Sequence, residues 1–221
     1  MTGKIKLLTV LGTALALFAF LAGIVHANPF MGVGKSSTKQ FKLPAGIYVI
    51  KVENKGFGKY DFWLIDNTNK RITQLASGVG PYVAHKVVGI PVQPKPPANK
   101  PVKPVKYFVQ ATEADGDWTV TITSTGVALD RRNFSGNTDS IIATPIFKLK
   151  KGSYNFCMLH KGGREFQAIL YNGEGKKVTE LGNAVGYYKN TAKVDVPKDG
   201  KFIMEIKASG EYAVTIQEAV K

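Results

Sequence analysis

The chain has 221 residues, with 30 Lys and Arg against 16 Asp and Glu, a formal net charge of +14 and 44% hydrophobic residues. Its single cysteine, Cys157, excludes an intramolecular disulfide, and no window of twelve residues carries the apolar period of a helix, which excludes a helical bundle or an α/β core. Stability must come from apolar cores between sheets, and the excess of base attracts polyanions.

The first twenty-seven residues stand apart. Lys4 and Lys6 precede an uncharged apolar run from Leu7 to Val25, closed by Val25-His26-Ala27 before Asn28. A basic start, an apolar stretch and small residues at the cleavage positions are the pattern of a secretory signal peptide, so residues 1–27 are expected to be removed. The same run approaches the length that spans a bilayer, which leaves a membrane tether open if the segment is retained. Removal takes away two lysines and no acid, leaving +12 on residues 28–221. The expected location is secreted, at the cell surface or in the periplasm. There the polyanions are anionic cell-wall polymers and polysaccharides rather than nucleic acid.

From Phe30 onward short apolar runs alternate with clusters of Gly, Asn, Asp and Pro, the signature of an all-β chain. Strands are expected near residues 38–43, 47–53, 61–65, 71–75, 83–90, 106–111 and 118–123. Between the fifth and sixth lies "PVQPKPPANKPVKP" (91–104), which holds six of the eleven prolines together with Lys95, Lys100 and Lys103; Lys106 follows it. Proline fixes φ and removes donors, so this insertion is expected to be an extended, polyproline-like arm that holds its lysines apart. Next, "EADGDWTVTI" (113–122) reads as a hairpin around Asp115-Gly116, with Trp118, Val120 and Ile122 on one buried face.

The stretch 124–140 has no strand pattern and reads as a linker, with the domain boundary placed at 124–133. After it the first half repeats. "FKLPAGIYVI" (41–50) matches "FKLKKGSYNF" (147–156), and "KRITQLASGVGPY" (70–82) matches "KKVTELGNAVGYY" (176–188), both at an offset of 106. "EADGDWTVTI" matches "KASGEYAVTI" (207–216) at an offset of 94, so twelve extra residues fall in the first copy between Tyr82 and Phe108. One strand fits poorly: Phe108 aligns with Phe202, yet the apolar phase runs through Tyr107, Val109 and Ala111 in one copy and Phe202, Met204 and Ile206 in the other. A β-bulge, or a strand buried on both faces, would account for it. Both copies open on an aromatic-plus-glycine phrase, "NPFMGVG" and "NFSGN", ahead of the first strand. The expected fold is two tandem antiparallel β-sandwich, jelly-roll-like domains, 28–123 and 134–221.

The "FKL" before a glycine turn and tyrosine, the aromatic-rich middle strand and the closing glycine-aromatic-x-Val-x-Ile unit occur in each copy. Together they resemble the pre-peptidase C-terminal domain family of secreted bacterial β-sandwich modules. The resemblance implies non-catalytic appendages, some of which bind calcium or assist adhesion to polymers. "DFWL" at Asp61 resembles the family's aspartate-led middle strand, where the second copy carries Gln167.

No catalytic constellation is assembled by the sequence. His85 and His160 are the histidines outside the leader; His85 falls in a strand and His160 in a loop where the first copy has Asn54. No serine stands in an elbow motif. Calcium would need several oxygens at close spacing; Asp61, Asp66 and Asn69 are the alternative set, in sequence that is also ordinary turn chemistry. Cys157 lies on the strand phase opposite Tyr154, Phe156 and Met158 and aligns with Lys51. Tyr82 and the pair Tyr187-Tyr188 follow a glycine turn in each copy and are the aromatic candidates for ligand contact. The expected function is an exported, non-catalytic module, without cofactor, that binds anionic or glycan polymers through Lys95, Lys100, Lys103, Lys106, Tyr82, Tyr187 and Tyr188. The alternative is a structural subunit of a surface layer or fibre, joined through exposed strand edges.

Overall fold

The computed structural model describes residues 29–92 and 105–219. Residues 1–27, expected to be a signal peptide, and the proline-rich insertion with Lys95, Lys100 and Lys103, expected to be an extended arm, lie outside the described residues.

All regular structure among the described residues is β. The first half contains β1 (Phe30–Val33), β2 (Phe41–Lys42), β3 (Gly46–Asn54), β4 (Lys59–Asp66), β5 (Arg71–Val79), β6 (Tyr82–Ile90), β7 (Lys106–Glu113) and β8 (Asp117–Ser124). The second contains β9 (Asn133–Ala143), β10 (Phe147–Leu149), β11 (Gly152–His160), β12 (Glu165–Asn172), β13 (Lys177–Val185), β14 (Tyr188–Val196) and β15 (Gly200–Glu218). In the first half β1-β8-β3-β6 form one layer and β2-β7-β4-β5 the facing layer, the interleaved strand order of a jelly roll. The second half repeats it, β9-β15-β11-β14 over β10-β15-β12-β13, with β15 contributing to both layers. Each sandwich closes on its own core: Ile50, Phe62, Leu64, Val109 and Trp118 in the first, Phe147, Phe156, Phe166, Leu170 and Met204 in the second.

The expected hairpins are not hairpins. β7 pairs with β2 and β4 in one layer, whereas β8 pairs with β1 and β3 in the other. The turn at Asp115-Gly116 therefore carries the chain between sheets. In the second copy β15 runs continuously through Ser209-Gly210, bending where Gly210 takes φ +124. Alternating apolar residues around a glycine turn fit a hairpin and an inter-sheet corner equally well; the partner strands, distant in sequence, decide.

The misfit strand is a bulge. Phe62 pairs with Ala111 and Asp61 with Glu113, skipping Thr112, while the equivalent pairs Ala168–Ile206 and Gln167–Lys207 are continuous. Tyr107, not Phe108, is thus the counterpart of Phe202, and each faces its "FKL" phenylalanine, Phe41 or Phe147. Thr112 is the twelfth inserted residue and the other eleven precede β7.

The opening aromatic-plus-glycine phrases are strands rather than approaches to them. Phe30 lies opposite Val120 and Phe134 opposite Val214. Gly32 lies beside Trp118 and Gly136 beside Tyr212; a Cβ at Gly32 would fall inside the indole, and one at Gly136 would stand 2.9 Å from the Tyr212 hydroxyl. Bare glycine on an edge strand lets the large ring of the neighbouring strand lie across it. β9 also claims half of the stretch expected to be linker. Asn133, Ser135, Asn137 and Asp139 face solvent, and the inward positions include Gly136, Thr138 and Ser140, so no apolar alternation betrays the strand.

A third apolar cluster joins the sandwiches. Ile47, Val49 and Val87 on the outer face of β3 and β6 pack with Ile169, Tyr171 and Ile203 on the outer face of β12 and β15, with Ala128 and Ile146 between. Glu205, 5% exposed, accepts from Val87 N–H at 2.9 Å and pairs with Lys86 at 2.8 Å. His85 Nδ1 contacts the Ile141 carbonyl at 3.0 Å, and Gly89 lies so close to Glu174 and Gly175 that any side chain would collide with their backbone.

Trp118 is 1% and Tyr212 5% exposed, so Trp118→Ala and Tyr212→Ala should each cost about 3–5 kcal/mol, measured by chemical denaturation. Ile203 belongs to the joining cluster and not to the core of its own sandwich. Ile203→Asp should therefore leave β-sheet circular dichroism intact while splitting one calorimetric unfolding transition into two.

Candidate functional site

Where the sandwiches meet, they leave a cleft of about 620 Å³ on the side of the β5–β6 turn. The first sandwich contributes Tyr60, Ser77, Gly78, Val79 and Tyr82; the second contributes Asp139, Arg164, Glu165, Val185, Lys207 and Ser209, among others.

The first wall is aromatic and aliphatic. Tyr82 stacks on Tyr60 with ring centroids 5.9 Å apart and planes at 17°, and Val79 stands 71% exposed beside them. Burial pushes the Tyr60 phenol up to about 12, with Tyr82 adding to it. The Tyr82 phenol is also raised, by burial first and then by the carboxylates of Glu165 and Asp139. Those two acids of the second sandwich thus face an aromatic ring of the first across the cleft.

The second wall is charged and held from behind. Arg164 pairs with Asp139, and Lys207 with Glu165. The Arg164 backbone is pinned on both sides: its N–H donates to Ser209 Oγ at 3.1 Å and its carbonyl accepts from Gly186 N–H at 2.8 Å. Gly186 has φ +86 and its own carbonyl lies 2.9 Å from His160 Nδ1. His160 is therefore not a loop residue. It ends β11, fully buried, its ring 5.2 Å from Phe166. Its counterpart Asn54 does the same work in the first copy, with Nδ2 donating to Gly80, φ +88, at 2.9 Å. Both side chains hold a left-handed glycine in the turn that carries Val79 or Val185, so they are positioning residues rather than catalytic ones.

The other candidates are dispersed. Tyr188 is half-buried against Phe166, 5.4 Å between rings, and Tyr187 is 68% exposed outside the cleft lining. Lys106 faces Lys42 at the far end of β7 from the cleft, roughly 23 Å along the strand at 3.3 Å per residue. Asp66 Oδ1 accepts from Thr68 N–H at 2.8 Å, Thr68 Oγ1 at 2.6 Å and Lys70 N–H at 3.0 Å, a turn that Asn69 completes at φ +63. The Thr68 hydroxyl, helped by the backbone bonds and Lys70 and outweighing the opposing effect of burial, holds the Asp66 carboxyl below its usual range. Asp61 sits in mid-strand and accepts from Trp63, Gln74 and Thr112. Among the described residues no three His, Cys, Asp or Glu side chains gather as a metal site. Cys157 is half-buried with Thr191 Oγ1 at 3.6 Å. Of the residues singled out from sequence, the cleft contains Tyr82. Arg164, Glu165, Asp139 and Lys207 carry no local sequence signal, because the cleft exists only once two copies are docked.

No family profile and no curated protein matches this chain. Among solved structures it is similar to the tandem CBM22-1-CBM22-2 domains of Xyn10C from Paenibacillus barcinonensis, at 9% identity over 89% of this chain and 94% of that one, TM-score 0.27. It is also similar to the major capsid protein P2 of bacteriophage PM2, at 12% identity over 90% and 98%, TM-score 0.30. At these scores neither likeness adds to what the strand order already establishes, an all-β chain of two sandwiches.

Proposed function

We propose that this chain is an exported, non-catalytic module that binds an acidic polysaccharide at the cell surface, with the cleft between its sandwiches as the sugar site. The observation that carries this reading is the unlike character of the two walls. A pyranose ring has an apolar face and a rim of hydroxyls. Tyr82 and Val79 offer the former a flat apolar support, and Arg164, Glu165, Asp139 and Lys207 offer the latter charged donors and acceptors, which form the stronger hydrogen bonds. The cleft holds two bases and two acids, so the preference for an acidic polymer rests on the +12 of residues 28–221. His160 donates its Nδ1–H to a backbone carbonyl and its Nε2 is buried, out of reach of a substrate, while His85 donates to the Ile141 carbonyl at the joint between the sandwiches and lies outside the cleft lining. The resemblance of both copies to pre-peptidase C-terminal modules, which are appendages without catalysis, is in keeping with this.

The assembly reading draws less support. A further sandwich docking as the second does on the first would meet Ser153, Asn155 and Lys193 where the first offers Ile47, Val49 and Val87. Polar groups there would be desolvated without the apolar partner that the existing joint has.

The test is isothermal titration of the chain with polygalacturonate and with neutral hydroxyethylcellulose. Polygalacturonate should bind more tightly and weaken as salt rises. Tyr82→Ala should lose about tenfold in affinity, about 1.4 kcal/mol, while the chain stays folded with a modest fall in melting temperature from the lost stacking on Tyr60. Failure of the parent to bind either polymer, or full affinity in Tyr82→Ala, would overturn the proposal.

A further inference from the structure

The outer face of β4 and β5 runs directly into the cleft. Along β5 the outward residues are Arg71, Gln74, Ser77 and Val79; along β4 they are Trp63, Asp61 and Lys59, with Trp63 opposite Gln74, Asp61 opposite Ser77 and Lys59 opposite Val79. Ser77 and Val79 also line the cleft. From Arg71 to Val79 the strand covers roughly 26 Å at 3.3 Å per residue.

The side chains on this face are organised around one indole. Trp63 Nε1 donates to Asp61 Oδ2 at 2.7 Å, Gln74 Nε2 donates to Asp61 Oδ1 at 2.8 Å, and the hydroxyl of the bulged Thr112 donates to Asp61 Oδ2 at 2.8 Å. Arg71 lies over the ring, 4.6 Å from its centroid, and Gln110 is the neighbour across from Trp63 on β7. Burial opposes the charge on Asp61, but the hydrogen bonds from Gln74, Trp63 and Thr112, with Arg71 nearby, outweigh it and hold the carboxyl below its usual range.

The second sandwich shows what this face becomes when it is used for protein contact. Ile169 stands where the first has Trp63, Ile203 where it has Phe108, and Glu205 where it has Gln110; that aliphatic face is sealed against the first sandwich. The first copy presents instead two aromatic rings, Trp63 and Phe108, with two amides, a guanidinium and a carboxylate, on a half-exposed surface.

We infer that the binding site extends from the cleft across Ser77, Asp61 and Gln74 to Trp63 and Arg71, so that the ligand is a linear polysaccharide held lengthwise over several sugar units rather than by one end. The inference rests on the polysaccharide reading of the cleft. The face is continuous with the cleft through Ser77, its planar amide and guanidinium groups suit ring hydroxyls and carboxylates, and its indole, with Arg71 over one face and its rotamer determined by Asp61, is a fixed aromatic platform with a cation beside it. Pre-set side chains lose little entropy on binding.

The chain carries its own reporter. Trp63 and Trp118 are its two tryptophans, and Trp118 is buried at 1% exposure, so a ligand on this face perturbs Trp63 emission alone. Titrations of the full chain with galacturonate dimer, tetramer, hexamer and octamer should show affinity rising with length, with an emission change confined to the longer oligomers. Trp63→Ala and Gln74→Ala, with melting temperatures as folding controls, should weaken octamer binding by roughly five- to tenfold, the scale of one lost aromatic or hydrogen-bonded contact. Dimer binding should be unaffected. Tyr82→Ala should weaken every length. Length-independent affinity, or octamer binding at parent strength in both face variants while Tyr82→Ala loses it, would overturn the lengthwise track and leave the cleft reading standing. Loss in none of the three variants would overturn both. An emission change that follows protein concentration instead of oligomer would mark a self-association surface and equally overturn the track.

Discussion

The arrangement of this chain depends on how one sheet edge is finished. β6 closes the first sandwich's layer: it pairs with β3 along its whole length, but on its other side it meets β9 of the second sandwich at one residue pair. Its other side is turned towards the second sandwich, where an unpaired backbone N–H would lose water without gaining a partner. Glu205 answers that need: one carboxylate oxygen accepts from Val87 N–H and the other pairs with Lys86. A single parallel bridge, Ala84 to Ile141, and the contact of His85 with the Ile141 carbonyl complete the edge. A carboxylate so deeply covered is tolerated only because both oxygens are engaged. The charge pair fixes register, while Ile47, Val87, Ile169 and Ile203 beside it supply the apolar burial that holds the joint together.

That joint breaks the equivalence of the two copies. Before docking, each sandwich has two outer sheet faces of similar plan. With the sandwiches joined, one face of each is buried, the β3–β6 side of the first and the β12–β15 side of the second, and apart from Lys86 and Glu205 those faces carry mainly Ile, Val and Tyr. The remaining faces diverged differently. The first copy keeps Asp61 with Gln74 where the second has Gln167 with Glu180, a pair with acid and amide exchanged but the same bridge from amide nitrogen to carboxylate. What the copies share is the hydrogen bond; what differs is the residue beside it, Trp63 in the first copy and Ile169, which is sealed in the joint, in the second.

The sequence made the class, the duplication and most strand positions legible, because period-two alternation and glycine turns are local. Strands expected at 47–53, 61–65, 83–90, 106–111 and 118–123 lie within β3, β4, β6, β7 and β8. Two features escaped for one reason, that pairing partners are not written locally: the corner at Gly116 or Gly210 looks like a hairpin, and β9 looks like a linker because its inward side beyond Phe134 is small and polar. The bulge at Thr112 is one of the two alternatives open at its strand, legible because the unbulged copy stands beside it in the same chain. The candidate site was less legible still. Tyr82 was marked by its turn, but Arg164, Glu165, Asp139 and Lys207 look like ordinary solvated charges until a second domain is set opposite them. His160 was read as a loop residue for want of knowing that Asn54, which it replaces, is buried.

The copies also share a way of making a precise wall from loops. In both, a buried polar side chain at the end of the third strand, Asn54 or His160, reaches the carbonyl of a left-handed glycine, Gly80 or Gly186, and the N–H of that glycine returns to the preceding loop, at Gly58 or Arg164. Asn54 Oδ1 and His160 Nε2 are left buried without a partner, a cost borne twice at the same position. The return is rigidity. Each turn that ends in Val79 or Val185 is fixed by backbone hydrogen bonds rather than by its own side chains, and the two turns come together at the cleft. A site built from the tips of two domains ordinarily loses affinity to loop motion and domain rocking. Here the tips are tied to their sheets by Asn54 and His160, and the sheets to each other by Glu205, so the cleft is shaped before any ligand arrives.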